Sequence, residues 1–470
     1  MNTSIRAKRT GATIATTLLA WIVVSAPTAA MAQVTFESGV SWNLITPQSA
    51  ALADFNEDGH TDIVVASLAG GYLEVRYGLG DGNFSVPLTH TASTPYHVHC
   101  PDVNGDGHID IVSANMLDSS YSVLLGDGTG HFSAVVSYDV GGSPIAIASG
   151  DFDEDGDVDL AVANLSLGEI QFCAGDGLGS FAPPTTVATM ADASFVITLD
   201  LNQDQHLDLV VTSGSESSFG LFFGDGNGGF SIYQLVDIGV DDALWDIAAR
   251  DVNGDQILDL ILPCPNLDLV VVYQGSPFGG VQDPTMLVVG DSPQSTVVCD
   301  VNGDGYRDVA SANMASGELC VNIGDGSGGF TAPTGHPTGM SSSFVKSADL
   351  DEDGRLDFVV CNQTGSVQVV LNRSIAPVDT SFIRGDVDGN GSLGIGDAIL
   401  GLDHLFAGVE IDCPDAADAS DDGSINLADS IYVLSVLFGS GAGWTGTCEL
   451  DTTIDLLGPC TPDTSCFDGS

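Results

Sequence analysis

Short apolar runs, separated by acidic and glycine-rich loops, recur along the chain at a nearly constant interval. Ile63-Val-Val-Ala, Ile111-Val-Ser-Ala, Leu160-Ala-Val-Ala and Leu209-Val-Val-Thr each follow an acidic loop, and a second short run such as Ser122-Val-Leu-Leu comes next. Runs of this length bounded by turn residues predict strands. A Gly-Asp-Gly-x-Gly-x-Phe segment follows, as from Gly126 to Phe132, Gly175 to Phe181, Gly224 to Phe230 and Gly324 to Phe330. Such glycine-rich steps between strand-like runs predict hairpins. A further strand leads into the next repeat. Four short antiparallel strands in about 49 residues are the content and period of one propeller blade.

The acidic loop is itself a repeat. Asp54-Phe-Asn-Glu-Asp-Gly-His-Thr-Asp62 begins again at residues 102, 151, 200, 251, 300 and 349, in steps of 48, 49, 49, 51, 49 and 49. Oxygen-bearing side chains stand at positions 1, 3, 5 and 9 of every copy. They are Asp54, Asn56, Asp58 and Asp62; Asp102, Asn104, Asp106 and Asp110; Asp151, Asp153, Asp155 and Asp159. The later copies supply Asp200, Asn202, Asp204 and Asp208; Asp251, Asn253, Asp255 and Asp259; Asp300, Asn302, Asp304 and Asp308; Asp349, Asp351, Asp353 and Asp357. With a backbone carbonyl at position 7, each set can surround one hard cation. Calcium takes six to eight oxygens in flexible loops, whereas magnesium demands stricter octahedral geometry and keeps its waters. Up to seven Ca2+ ions are therefore expected here. Glycine at position 6 permits the tight turn. The loops starting at Asp200 and Asp251 carry Gln205 and Gln256 there, which predicts strain or weaker binding. The alternative is a plain Asp-Gly turn between strands, and seven copies with Asp always at position 9 weigh against it.

The ends of the array predict ring closure. The last repeat stops after Val369-Val-Leu-Asn372 without its glycine turn, and Val34-Thr-Phe36-Glu-Ser-Gly-Val40 has the character of the missing strand. Phe36 stands 18 residues before Asp54, as Phe84 stands 18 before Asp102. Such a strand completes blade seven and removes an exposed edge. On these motifs, residues 33–374 resemble the FG-GAP (VCBS) repeats of bacterial secreted proteins and of the integrin α-chain propeller. The resemblance implies an all-β, seven-bladed propeller with calcium in the hairpin between the first two strands of each blade. Residues 251–299 depart from it, with Gly275-Ser-Pro-Phe-Gly-Gly-Val281 in place of the aspartate turn.

After a linker at 375–384, the pattern changes. Asp386, Asp388, Asn390 and Asp397 occupy positions 1, 3, 5 and 12 of one loop, and Asp418, Ser420, Asp422 and Asp429 those of a second. Helix-like periodicity follows each, at Ile399, Leu402, Leu405 and Phe406, then at Ile431, Leu434, Val436 and Leu437. A 12-residue loop feeding a helix is half an EF-hand. Two such copies over 385–440 resemble a dockerin type I domain, implying a small α-helical module that holds up to two further Ca2+ ions. The family's members that dock cohesins commonly carry a Ser-Thr pair at loop positions 10 and 11, whereas this chain has Ile395-Gly396 and Leu427-Ala428. That departure weighs against a cellulosome-style cohesin, so the expectation is an attachment module for a cohesin-like or envelope partner, against a module that only caps the chain. Residues 441–470 form a tail, and Cys413, Cys448, Cys460 and Cys466 of this region suit disulfides.

The first residues speak to compartment. Arg6, Lys8 and Arg9 precede an apolar stretch and the small-residue site Ala30-Met31-Ala32, the order of a signal peptide over 1–32 cut before Gln33. A secreted or cell-surface protein with no transmembrane segment is expected. Cleavage removes three of ten basic residues and none of 64 acidic ones, so the mature charge is 7 − 64 = −57. That field disfavours nucleic acid as a partner.

No Gly-x-Ser-x-Gly elbow, His-Glu-x-x-His site or nucleotide-binding glycine loop is present. The expected role is a calcium-binding extracellular adhesion or binding scaffold for a protein or glycan ligand. The alternative is a secreted lyase or glycoside hydrolase on the same propeller. Two surfaces are candidates for recognition. His97, His99, Asp246 and Lys346, with Trp245 nearby, precede their loops on strands that should line the central channel, as a polar pocket, a weak metal site or simply satisfied polar groups. Asn115, Asn164, Asn313 and Asn362 stand at equal offsets on the opposite face, as ligand contacts or as turn residues.

Overall fold

The computed structural model describes residues 34–239 and 242–374, with Ile399 and Leu402 beyond them. The expected signal segment at 1–32, the loops at 385–440 with their eight predicted ligands, and the four C-terminal cysteines lie outside the described residues.

The described residues form seven four-stranded antiparallel sheets. In six of them four consecutive strands pair in chain order, as in the first blade: Pro47–Ala53, Asp62–Ser67, Tyr72–Arg76 and Leu88–Thr91. First strands of neighbouring blades touch around the axis. The seventh blade takes Ser342–Ala348, Asp357–Asn362 and Ser366–Asn372 from the end of the array and its outer strand, Phe36–Asn43, from the beginning. Phe36 pairs with Asn372 and Trp42 with Val367, with a register shift between Ser38 and Ser41. Arg373 N donates to the Thr35 carbonyl at 2.8 Å, extending the closure by one step.

The hydrophobic core is divided among the seams. Each of seven clusters joins two neighbouring blades; Phe55, Val64 and Val75 of blade one meet Val98, Ile111 and Leu124 of blade two. Cys361 and Val367 of blade seven meet Ala50 and Ile63 of blade one. A middle strand is therefore apolar on both faces, which is why Asp62–Ser67 is buried throughout and reads as a continuous run instead of an alternating one. Each buried Val, Leu or Ile contributes about 1.5–3 kcal/mol, so the seams carry the fold. Cys100, Cys173, Cys264, Cys299, Cys320 and Cys361 are free thiols, and all but Cys100 are fully buried in the blades.

The fifth blade keeps its hairpin although its turn lacks aspartate. Ser276 N bonds to the Gly280 carbonyl at 2.9 Å, as Asp127 N bonds to His131 in blade two. Gly275 pairs with Val281, as Gly126 does with Phe132.

A buried carboxylate locks each loop to its blade. Asp62 Oδ2 accepts from Phe55 N at 2.9 Å, and its Oδ1 accepts from Gly78 N at 2.7 Å, sixteen residues on. The arrangement recurs at Asp110, Asp159, Asp208, Asp259 and Asp308 with Gly126, Gly175, Gly224, Gly275 and Gly324. In blade seven Asn372 N donates to Asp357 at 2.7 Å. Glycine is required because of close approach: a Cβ on Gly175 would drive into the carbonyl oxygen of Val158, and one on Gly224 into that of Leu207. Gly175→Ala is expected to destabilise the propeller by about 1–3 kcal/mol, read from denaturant unfolding.

Candidate calcium loops and channel mouth

Within each loop the first aspartate gathers backbone donors. Asp54 Oδ1 and Oδ2 accept from Asp58 N at 3.2 Å and Gly59 N at 2.8 Å, and Asp58 Oδ1 accepts from His60 N at 2.9 Å. These bonds curl the chain so that positions 1, 3 and 5 face one point. Position 6 is left-handed throughout: Gly59, Gly107, Gly156, Gly305 and Gly354 have φ of 90°, 88°, 95°, 84° and 85°. Gln205 and Gln256 adopt the same region, at φ 77° and 66°. The expected strain is present at both, since a side chain there costs about 1–2 kcal/mol.

Position 3 separates the loops into two kinds. In five of them an Asn amide nitrogen donates to the position-5 carboxylate, as Asn56 does to Asp58 at 2.9 Å and Asn302 to Asp304 at 2.8 Å. The other two carry Asp153 and Asp351, which have no proton to give. Oδ1 of each is buried and has no hydrogen-bond partner. A buried carboxylate oxygen without a donor is costly, and a hard cation satisfies it. Asp151, Asp153 and Asp159 bring ligand oxygens within 4.8 Å of one another, as do Asp349, Asp351 and Asp353. The residues present thus fit calcium, which would be held by positions 1, 3 and 9 in the first of these loops and by positions 1, 3 and 5 in the second, and would supply the missing positive charge. Burial, with Asp155 beside it, pushes the Asp153 carboxyl up. In blade seven part of that charge comes from the protein: Arg373 Nη1 lies 2.5 Å from Asp351 Oδ2 and 2.9 Å from Asp353 Oδ2, while its Nε reaches Glu37 on the closing strand at 3.1 Å. Arg355 also pairs with Asp353.

Position 9, predicted as a ligand, has a structural task in all seven loops, because both its oxygens already accept backbone N–H groups. In the Asp151 loop it also joins the oxygen cluster through Asp159. Burial pushes these carboxyls up despite the backbone donors, to about 6 at Asp62, Asp110, Asp159 and Asp357 and about 7 at Asp308.

Neighbouring loops are linked across three seams. The position-7 histidine of one loop pairs with the position-4 glutamate of the loop before it: His108 with Glu57 at 2.5 Å, His206 with Glu154, and His60 with Glu352. The glutamate hydrogen bond raises each histidine pKa. At the same seams a glycine-turn amide docks on the preceding loop, as Gly130 N does on the Phe55 carbonyl at 3.1 Å.

The four polar channel residues do converge, and protein groups satisfy them. His97 Nδ1 accepts from Ile147 N at 3.3 Å, and its ring meets Phe195 edge-on at 5.2 Å. His99 Nε2 lies 2.9 Å from Ser149 Oγ. Asp246 accepts from Ile247 N and Thr296 N, each at 2.9 Å, and Lys346 Nζ sits 5.1 Å from the Phe344 ring centroid. Burial lowers both histidines, with His99 down to about 4, and raises Asp246. Two of them, His97 and Asp246, line a cavity of about 210 Å³ whose rim is the residue six before each first aspartate: Gln48, Tyr96, Ile145, Ser194, Trp245, Gln294 and Ser343. Sequence reasoning missed this ring, although the constant offset of six residues before each first Asp would have found it. Of the two readings of the asparagines, the structure shows the turn residues. Asn115, Asn164, Asn313 and Asn362 are buried and spent on turns, as where Asn164 Nδ2 donates to the Gly141 carbonyl at 2.8 Å and Asn362 Nδ2 to that of Thr338 at 2.9 Å. They present nothing to a ligand.

Residues 102–162, 151–211, 200–262 and 300–360 match the FG-GAP-like repeat family, each match opening on the first aspartate of a loop. The chain carries FG-GAP-like repeats. Two crystal structures of BBS1N in complex with ARL6DN, soaked with lead and with mercury, superpose with TM-scores of 0.50 and 0.53. Each is 12% identical and covers 72% of this chain and 96% of its own. An Agrocybe aegerita lectin, described for specific recognition of non-reducing terminal N-acetylglucosamine, has TM-score 0.47 and 19% identity over 68% of this chain and 86% of its own. At these identities the likeness is one of fold alone. No curated protein matches the sequence.

The FG-GAP loops make a pH dependence of definite sign. A carboxyl that binds its proton more tightly folded than unfolded stabilises the fold where it is protonated, and that gain is lost as pH rises from its ordinary value of 3.8 to about 6 at Asp62. The paired histidines act in the same direction. Their stabilisation is complete below the ordinary 6.5 and is lost as pH rises through the elevated folded value. Chelated protein is therefore expected to melt at a higher temperature near about pH 5 than near about pH 8. Calcium should shrink or reverse that difference, because it binds the deprotonated carboxylates.

Proposed function

We propose that this FG-GAP-type propeller is a secreted, calcium-stabilised scaffold of the cell surface or exterior that presents a binding surface to an extracellular ligand. The observation that carries the calcium reading is the pair of buried, unpartnered oxygens on Asp153 and Asp351. They sit in the two loops whose third position is Asp, where a cation is the missing partner. The remaining five loops follow the same curl and take calcium with Asn as a neutral ligand. The dockerin-like segment at 385–440 serves attachment through a cohesin-like or envelope partner, and the segment at 1–32 directs export.

Rigidity is the property that suits the propeller to binding. Calcium in the loops ties the inner hairpin of each blade, and the opposite end of the same inner strands forms the channel mouth. Metal bound only by the folded loops stabilises by mass action, with about 2.7 kcal/mol per site at a hundredfold excess over Kd. Thermal melts of the mature chain in calcium and in chelator test this. A large fall in Tm on chelation is expected, recovered by adding calcium back. An unchanged melt would remove calcium from the account.

A further inference from the structure

We infer that the channel mouth, on the face opposite the acidic loops, binds one neutral sugar ring at the end of a glycan. The inner strands run from this rim to the loops, so Gln48 opens the strand that ends at Ala53. The rim encloses about 210 Å³ and is formed by one residue from every blade.

Charge is the first argument. The chain carries 64 acidic residues and a net charge of −54, yet no rim position is charged. Asp246, just below, is taken up by the Ile247 and Thr296 amides, and Lys346 does not line the cavity. Neither an anionic nor a cationic ligand finds a free counter-charge there.

The second argument is asymmetry. Tyr96 and Trp245 stand on blades two and five, while the amides of Gln48, Gln294 and Gln363 lie together on blades one, six and seven. Aromatic faces take the C–H face of a sugar, and amides supply donors and acceptors to its hydroxyls. Gln294 Nε2 donates to Ser292 Oγ at 3.1 Å, which orients that amide and leaves its oxygen for a ligand. Gln363 Nε2 donates to Gln48 Oε1 at 3.3 Å, which orients both and leaves the Gln48 nitrogen and the Gln363 oxygen for a ligand. The Trp245 indole rests on Gly214, where an added Cβ would lie 3.1 Å from its Cη2. A side chain at that position would push the indole away by a few tenths of an ångström, so the glycine lets the stacking platform rest against the neighbouring blade.

This inference rests on the binding-scaffold reading, and its test separates the two. Methyl glycosides of glucose, galactose, mannose and N-acetylglucosamine are titrated into the calcium-loaded full mature chain by calorimetry and tryptophan emission, with glucuronate and choline for comparison. At least one neutral glycoside should saturate, and Trp245→Ala and Gln294→Ala should each weaken it about tenfold or more while melting as the parent does. Should Trp245→Ala fail to fold, Gln294→Ala alone decides. No saturation at about 10 mM, tighter binding of choline or glucuronate, or affinity unchanged in the folded variants would overturn the inference. Chelator melts on the same sample report the calcium reading separately.

Discussion

Burying a carboxylate is costly unless each oxygen finds a donor, and the propeller solves that problem seven times in one way. The aspartate at position 9 joins the start of its loop to a backbone amide fifteen or sixteen residues on, as Asp159 joins Phe152 to Gly175. That single bridge fixes the hairpin of the first two strands against the third. In six blades the amide belongs to a glycine, as at Gly175 and Gly224, where a Cβ would meet a loop carbonyl, and in the seventh Asn372 takes the place one residue earlier. Everything outside the bridge follows from it: the curl of positions 1 to 6, the approach of three oxygens, and the alignment of inner strands at the other face.

The seams answer a different demand. Blades buried on both faces stack through apolar clusters, but the seven acidic loops of this chain of net charge −54 crowd their carboxylates at one rim. Self-repulsion there is offset by the three His–Glu pairs, by Arg355 and Arg373 in blade seven, and on the present reading by calcium. Arg373 has the widest reach, since it links the last acidic loop to Glu37 on the strand that closes the ring. Closure and loop charge are thereby coupled at one residue.

Much of this could be read from residue spacing, because the loop recurs with the same chemistry at each copy. The seven loops, the left-handed strain at Gln205 and Gln256, and the placement of Phe36 beside Asn372 all came from offsets that repeat. What spacing hid was whatever differs between blades. The rim residues Gln48, Tyr96 and Trp245 share a position and no chemistry, so no motif marks them. The asparagines repeat for the opposite reason, because each turn needs the same internal bonds, and their equal offsets suit that turn role. Arg373 lies outside the repeat, and its role depends on a strand more than three hundred residues earlier. Position 9 looked like one more ligand, since an aspartate's letter does not say whether its oxygens meet a cation or an amide.

The central claim is that the bridge at position 9 holds positions 1, 3 and 5 ready for a calcium ion. Anomalous scattering from crystals grown in calcium tests it most directly. The account predicts peaks among the position 1, 3 and 5 oxygens, strongest in the loops of Asp153 and Asp351 and weakest in those of Gln205 and Gln256. Loops without peaks, with Asp153 Oδ1 met only by water or protein donors, would contradict it.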